Sequence, residues 1–289
     1  MVTLVKPPTT LDEQTTLLIQ RGLEIADQDA YRKLLYNTSY YRLTGYARQF
    51  QLDPRGGNDK FVQGVTLDQL GRIMALDADL ATGLMRCLGM VEKVVRARFA
   101  YELAHVHGET AFYLERANYL SVTPGLDGFL DRVRDELIRA KSVTVTRYAP
   151  TGDLSQVPVW VAFELLSFGT LSKMLEYLTD RGPRDLVAGS FSEQKALFPS
   201  TIHSLAVLRN RCAHHGQLWH RPLTIQTPLV RKQKRRAPPF DPQGAYPAVL
   251  AAGRLLRSIP GGQASVAEVE RIIESDPEFA RGILEPSPR

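Results

Sequence analysis

An apolar pattern with helical spacing runs from residue 67 to about residue 106 and dominates the first half of the chain. Its apolar positions recur every three or four residues: Leu70, Ile73, Met74, Leu76, Leu80, Leu84, Met85, Leu88, Val91, Val94, Val95 and Phe99. This spacing predicts one long helix or two consecutive ones, with Gly83 and Gly89 as kinks or points of close packing. No β alternation long enough to build a sheet occurs in the chain. The sequence therefore predicts an all-α fold.

Capping and turn signals divide the rest of the chain into further helices. Thr10-x-x-Glu13 has the form of a capping box, Gly22 ends the helix that follows, and Asp27 begins another. The remaining predicted helices are a charged amphipathic helix over residues 126–141, a strongly apolar one over 158–175, one that begins at Pro199, one over about 246–258, and a short helical tail after Pro260.

A turn-rich stretch at residues 53–58 suggests a boundary within the chain. We expect an N-terminal helical segment over residues 1–60, a main helical domain over 61–260 and a C-terminal tail over 261–289. The total of 289 residues is enough to bury a sizeable core. Residues 223–244 are rich in proline and basic residues and predict an extended loop, whose basic run over residues 231–236 we expect to be disordered until it meets a polyanion.

The net charge of +5 is concentrated in one region. No acidic residue occurs between Glu193 and Asp241, and four of the six histidines fall in this window. The basic residues in it are Lys195, Arg209, Arg211, Arg221, Arg231, Lys232, Lys234, Arg235 and Arg236. Such a field attracts polyanions, nucleic acid above all.

The two cysteines, Cys87 and Cys212, lie far apart and form no C-x-x-C motif. This usage fits a reducing compartment rather than a disulfide framework. No secretory segment opens the chain, and no apolar run has the length of a membrane span. We therefore expect a cytoplasmic protein with no membrane partner.

Residues 204–221 combine an apolar helical pattern with a dense cluster of arginine, asparagine and histidine. Cys212 lies two and three residues from His214 and His215, which is poor spacing on a helix for a cysteine nucleophile. The same residues lack the ligand spacing of a zinc site, and no glycine-rich phosphate loop is present. We therefore expect no metal and no cofactor.

Metal-free RNA cleavage fits this cluster better. A histidine can accept the proton of a ribose 2′-hydroxyl or give a proton to the leaving 5′-oxygen, and an arginine can hold the charge that develops on the phosphorus. Neither step requires a metal.

Three segments carry a resemblance to a known family. Arg209-Asn210-Arg211-Cys212-Ala213-His214 matches the R-x4-H pattern of HEPN ribonucleases, and residues 208–219 resemble the LRN-x-CAHH-x-x-LW signature of Abi-like bacterial proteins of the abortive-infection AbiD/AbiF type. Residues 158–172 resemble the second signature of that family. Lys6-Pro7, residues 11–23 and residues 40–46 resemble its opening segment.

The resemblance implies a HEPN-type helical bundle with an N-terminal helical extension. It also implies a toxin-like endoribonuclease that defends against phage, with an active site composed across a homodimer. In this reading Arg209 binds the phosphate, Asn210 orients the site and His214 is the acid or base. His215 takes that role if the longer R-x5-H spacing operates. The residues from 231 onward lie outside the shared signatures.

Other side chains have two readings from the sequence. Glu164 lies in a nearly all-apolar helix, where it either meets an arginine of the cluster and supports the site or lies on a solvated face. Glu92 and Arg96 have helix ion-pair spacing, which favours a solvated salt bridge over a role in the site. The tyrosines and arginines of residues 36–48 can stack on bases, although packing is the commoner role of such tyrosines.

The cluster and the basic residues leave two main functions open. The first is the endoribonuclease, and the second is a non-catalytic protein that binds RNA on the same basic face. A DNA-binding regulator fits less well. The residues expected to bind RNA are Arg211, Arg221, Arg231, Lys232, Lys234, Arg235 and Arg236. We expect RNA and a second copy of the chain as partners, and a structured non-coding RNA or an antitoxin as a further one.

Overall fold

The computed structural model describes residues 7–109 and 111–286, and its N-terminal part is a layer of three helices with a β-hairpin. The helices are α1 (Leu11–Gln20), α2 (Gln28–Thr38) and α3 (Tyr40–Ala47), and the strands are β1 (Gln51–Asp53) and β2 (Asn58–Phe61). The predicted capping box is confirmed, since the backbone N–H of Glu13 donates to Thr10 Oγ1 over 3.2 Å. Asp27 caps α2 as predicted. Lys6 lies outside the described residues.

The hairpin has its turn within the turn-rich stretch at residues 53–58. Its two strands are antiparallel, and the carboxylate of Asp53 accepts a hydrogen bond from the Gly56 backbone over 2.9 Å, which closes the turn. The strands could not be predicted from an alternating pattern, because they are only three and four residues long. A small apolar core lies under the hairpin and the three helices, and it continues past residue 60 to Leu70.

The central element is a single helix, α4 (Leu67–His107), which confirms the helix predicted from the apolar spacing of these residues. Thr66 caps it by accepting a hydrogen bond from the Gln69 backbone over 3.1 Å. Gly83 is a point of close packing: a Cβ there would come within 3.1 Å of a methyl group of Val269. Gly89 has no neighbour within 4 Å of such a Cβ. The helix runs without interruption through both glycines, so neither of them ends it.

Six helices of the middle part surround α4. They are α5 (Leu126–Arg139), α6 (Val143–Tyr148), α7 (Val159–Leu165), α8 (Phe168–Tyr177), α9 (Gly182–Ser190) and α10 (Phe198–Ala213). Short 3-10 helices lie at Arg48–Phe50, Phe112–Leu114, Arg116–Asn118 and Leu154–Gln156. Helices α7, α9 and α10 pack directly on α4, and α8 packs on α10.

The single apolar helix predicted over residues 158–175 is wrong, because the chain breaks between α7 and α8. Ser167 is extended and caps α8, accepting a hydrogen bond from the Thr170 backbone over 3.2 Å. Two distant side chains hold the break. Glu136 accepts the Ser167 N–H over 2.8 Å, and Arg96 donates to the Leu166 carbonyl over 2.8 Å and to the Phe163 carbonyl. These partners satisfy backbone groups that a continuous helix would have paired internally.

The C-terminal part contains four more helices: α11 (Arg231–Arg236), α12 (Tyr246–Leu256), α13 (Gly262–Glu274) and α14 (Pro277–Leu284). The basic run expected to be disordered is the short helix α11. Gln233 fixes it by donating to the Leu250 carbonyl over 2.7 Å. The expected tail is two helices of the bundle, since α13 packs on α4, and Phe279 and Ile283 of α14 are buried.

The main core follows the apolar side of α4 and takes in the inner faces of the helices around it. With fourteen helices and one short hairpin in the described residues, the all-α prediction is confirmed. Within residues 7–109 and 111–286, no helix combines the length and the apolar character needed to cross a bilayer, α4 included.

Candidate functional site

Helix α10 carries the arginine, asparagine and histidine cluster at its C-terminal end. Pro199 lies in the first turn, and Leu205, Leu208 and Cys212 are buried in the core. Arg209 is therefore held at the edge of the buried stripe, and Asn210 beside it is exposed. The last helical residue is Ala213.

Arg209 is oriented by two contacts. Its Nε lies 3.3 Å from Oε2 of Glu92 on α4, and its NH1 donates to Oδ1 of Asn210 over 3.2 Å. Asn210 also lies beside Gly169 in the first turn of α8, where a Cβ would be 3.9 Å from its amide nitrogen. Within residues 7–109 and 111–286, these are the contacts of the guanidinium, and its remaining N–H groups can bind a ligand.

Glu92 links Arg209 to a second arginine. Its Oε1 accepts a hydrogen bond from Arg96 over 2.7 Å, and the side chains of Glu92 and Arg96 are only 13% and 11% exposed. The interpretation of this pair as a solvated salt bridge is therefore wrong. Arg96 is fixed in turn by the carbonyls at the end of α7. Two guanidiniums around one carboxylate leave a net positive charge at the end of α10.

Of the two interpretations that the sequence left open for Glu164, the structure shows the solvated face and not the contact with an arginine of the cluster. It lies on the exposed face of α7 and makes no ion pair with the arginines of α10. The carboxylate that meets Arg209 is Glu92 instead. Glu164 was proposed because it lies alone in an apolar segment, and the solvated face is what accommodates it.

The two adjacent histidines follow the last turn of α10, and both are exposed. The backbone N–H of His214, the C-cap residue, donates to the Asn210 carbonyl over 3.0 Å. His215 has a φ of +55°, and its carbonyl accepts a hydrogen bond from Arg42 of α3 over 2.6 Å. His215 therefore lies beyond the helix and does not share a helical face with Arg211.

Arg211 is turned into the fold. Its NH1 donates to the carbonyls of Arg221 and Pro222 over 3.1 and 2.9 Å, and burial, followed by the nearby charge of Arg221, lowers its pKa. We therefore withdraw it from the residues expected to bind RNA. Arg221 is half-buried and approaches Gln217, with 3.4 Å between Nε and Oε1.

A buried carboxylate that the sequence reading missed holds the segment after the histidines. Asp77 of α4 is 3% exposed and accepts three hydrogen bonds: from Tyr46 Oη over 2.6 Å, from Leu218 N over 3.1 Å and from Trp219 N over 2.9 Å. Burial raises the pKa of Asp77, and these hydrogen bonds oppose the rise. The sequence signal that could have identified Asp77 was a lone acidic residue on the buried side of α4.

Cys212 has no features of a nucleophile. It is 3% exposed, and burial raises the pKa of its thiol to about 12. A neutral, enclosed thiol reacts slowly. In the described part of the chain, no group of three or more histidine, cysteine, aspartate or glutamate side chains is arranged to hold a metal ion.

The basic residues of α11 lie apart in sequence from the cluster of α10. The side chains of Arg231, Lys232, Lys234 and Arg235 are exposed, and no described acidic residue forms an ion pair with them. The side chain of Arg236 lies outside the described residues. These cations are available to an anionic ligand.

The fold and the cluster define an all-α protein with a fixed arginine and exposed histidines at the end of a buried helix. The family model described as Abi-like protein matches residues 33–220. The chain belongs to this family, and membership indicates a role in abortive infection. No curated protein and no solved structure matches the chain. The matched residues include Glu92 and Arg96 of α4 and the arginine, asparagine and histidine cluster of α10, and they end before α11.

Proposed function

We propose that the protein is a metal-independent RNA endonuclease of the HEPN type that acts in antiphage defence. The observation that carries the proposal is the pairing of Arg209 with Glu92 at the end of α10, directly before two exposed histidines. A fixed guanidinium beside exposed imidazoles suits the cleavage of a phosphodiester.

The proposed reaction starts with attack of a ribose 2′-oxygen on the adjacent phosphorus. A histidine accepts the 2′-hydroxyl proton, the bond from phosphorus to the 5′-oxygen breaks, and a second histidine gives a proton to that oxygen. The products are a 2′,3′-cyclic phosphate and a 5′-hydroxyl. Arg209 stabilises the charge on the phosphoryl oxygens, and Asn210 helps to orient Arg209.

A second copy of the chain completes the proposed site. On a helix, positions 209 and 214 are about 140° apart around the axis and about 7.5 Å apart along it. One copy is therefore poorly placed to bring both its Arg209 and its His214 to one phosphate. Two copies that bring the ends of their α10 helices together supply two histidines and two arginines. His214 is the first choice for the acid or base, and His215 is the alternative.

The test is cleavage of total RNA by the purified chain in EDTA. We expect Arg209→Ala and His214→Ala to slow cleavage about 100-fold or more. His105→Ala is the histidine control, because His105 is exposed on α4 about 20 Å along the helix from Glu92. Arg271→Ala on the exposed side of α13 is the arginine control. Cleavage that is unchanged in both site variants would refute the proposal.

A second candidate is a non-catalytic protein that holds a structured RNA. The unpaired cations of α11 favour it, because they are a separate basic surface with no acidic partner among the described residues. The discriminating measurement is the RNA that copurifies with the chain at low salt. Intact RNA that is released at high salt, together with no cleavage in EDTA, supports this candidate against the nuclease. Both functions coexist if the bound RNA, or a protein antitoxin, restrains the nuclease.

A further inference from the structure

Two adjoining cavities lie beside α11 and α12, and the larger one is also lined by residues 191–194, which lie within the family match. The larger has a volume of about 640 Å³, and its walls include Arg231, Ser192 and the buried pair Glu193 and Arg254. The smaller has a volume of about 250 Å³. Val230, Lys232 and Arg257 line both cavities, so two cations lie at their junction.

The larger cavity has a positive charge that the fold does not neutralise. Arg231, Lys232 and Arg257 are exposed, and none of them forms an ion pair within residues 7–109 and 111–286. The acid in the wall, Glu193, is already paired: its Oε1 lies 2.7 Å from Nε of Arg254, and the two side chains are 3% and 5% exposed. Three cations therefore face this space without a counter-charge, as in a site for phosphate groups.

The smaller cavity has an apolar part beside Lys232, Gln233 and Arg257. Its walls include Ala237, Pro238, Tyr246 and Leu250. Tyr246 is half-buried and faces Phe240, with 5.9 Å between the ring centroids. A flat ring that enters this cavity would cover apolar surface and an aromatic side chain while it stays next to Lys232 and Arg257.

Both cavities are held open by contacts within the fold. Gln233 donates to the Leu250 carbonyl over 2.7 Å and accepts a hydrogen bond from Arg254, which ties α11 to α12. Phe191, which lines the larger cavity, packs against Arg98, with 4.3 Å between the guanidinium carbon and the ring centroid. A preformed site spares a ligand part of the cost of ordering the protein.

We propose that these cavities together bind a nucleoside polyphosphate. The phosphates lie in the larger cavity against Arg231, Lys232 and Arg257, and the base lies in the smaller cavity beside Tyr246. A small ligand explains the apolar part of the smaller cavity next to the cations, whereas contacts to an RNA backbone need only the cations. The site does not involve Arg209 or the histidines, so it stands whether or not the chain cleaves RNA.

The test is calorimetric titration of the full chain with ATP, GTP, CTP and UTP, and with inorganic triphosphate and the free nucleosides. We expect at least one nucleotide to bind. Inorganic triphosphate and the corresponding free nucleoside should each bind at least tenfold more weakly than that nucleotide. Lys232→Ala and Arg257→Ala should each weaken binding at least tenfold. Arg235→Ala is the matched control, because Arg235 is exposed on α11 and lines neither cavity. It should change the affinity less than twofold.

Three results would overturn this inference. The first is that none of the four nucleotides binds. The second is an equal loss of affinity in Arg235→Ala and Arg257→Ala, with a short RNA as an effective competitor, since this describes a general polyanion surface. The third is loss of nucleotide binding in Arg209→Ala, which would place the nucleotide in the proposed RNA site. Circular dichroism of each variant confirms that it is folded.

Discussion

The carboxylate of Glu92 accepts Arg209 through one oxygen and Arg96 through the other, at 3.3 and 2.7 Å. This single side chain connects the centre of α4, the break between α7 and α8, and the end of α10. The position of Arg209 thus depends on residues that the R-x4-H motif does not contain. Its orientation is a property of the bundle and not of α10 alone.

Replacement of Glu92 tests this dependence. In Glu92→Gln, a neutral amide cannot pair with two guanidiniums, and Arg209 loses the contact that orients its Nε. We expect kcat for RNA cleavage to fall about tenfold and KM to change less than about twofold, because orientation matters most in the transition state. The control is Glu164→Gln, which removes an exposed carboxylate from α7. Equal kcat values for wild type and Glu92→Gln would contradict the positioning role.

The hydrogen bonds of Asp77 lead to a prediction about stability. In Asp77→Asn, an amide N–H₂ replaces one acceptor oxygen, so one of the donors from Tyr46, Leu218 or Trp219 loses its partner. We expect the free energy of unfolding in urea to fall by about 1–3 kcal/mol. Tyr46→Phe should cost less, about 0.5–1.5 kcal/mol, because the carboxylate keeps both backbone donors. A smaller loss in Asp77→Asn than in Tyr46→Phe would show that the backbone donors contribute little.

Elements that carry their own local signal could be predicted from the sequence. The capping box at Thr10 and Glu13, the cap at Asp27 and the periodicity of α4 each act within a few residues, and each is present. The break at Ser167 could not be predicted, because Glu136 and Arg96 stabilise it from distant parts of the chain. Local apolar spacing is the same on both sides of such a break.

In the candidate site, too, the residues with a local signal could be predicted and the contacts between distant residues could not. The motif identifies Arg209, Asn210 and the histidines, since they are adjacent in sequence. Glu92 has helix spacing only to Arg96, and nothing near it in sequence indicates that α10 crosses α4 at this point. The basic run 231–236 appeared disordered by composition, yet one glutamine within it, Gln233, ties the segment to α12. Both the Glu92–Arg209 pair and the position of α11 depend on contacts between residues that are distant in sequence.

A pair of glycine substitutions tests whether the C-terminal helices belong to the bundle. A Cβ at Gly282 of α14 would clash with Nε1 of the buried Trp219, so Gly282→Ala should cost about 1–3 kcal/mol through overpacking. Gly89→Ala in α4 meets nothing within 4 Å and should stabilise the protein by about 0.5–1 kcal/mol. Thermal unfolding measures both. A neutral Gly282→Ala would mean that α14 does not press on Trp219 in solution.

His203 gives the chain a predicted pH dependence. It is half-buried on α10, its Nδ1 lies 3.1 Å from Ser172 Oγ, and burial lowers its pKa below 6.5, with Glu176 opposing and Lys173 adding to the shift. A lowered pKa means that the unfolded chain takes up the proton first as the pH falls. The contribution of neutral His203 to stability is therefore complete above about pH 6.5 and is lost as the pH falls through the folded-state pKa.

Urea unfolding at pH 7.5 and pH 5.5 measures this contribution. The wild type should lose more stability between the two values than His203→Gln, in which the amide can still bond to Ser172 without titrating. His105→Gln on the exposed side of α4 is the control and should keep the pH dependence of the wild type. If His203→Gln and wild type lose the same free energy of unfolding on acidification, the dependence belongs to other groups. The proton uptake of this half-buried imidazole then has no part in the stability of the protein.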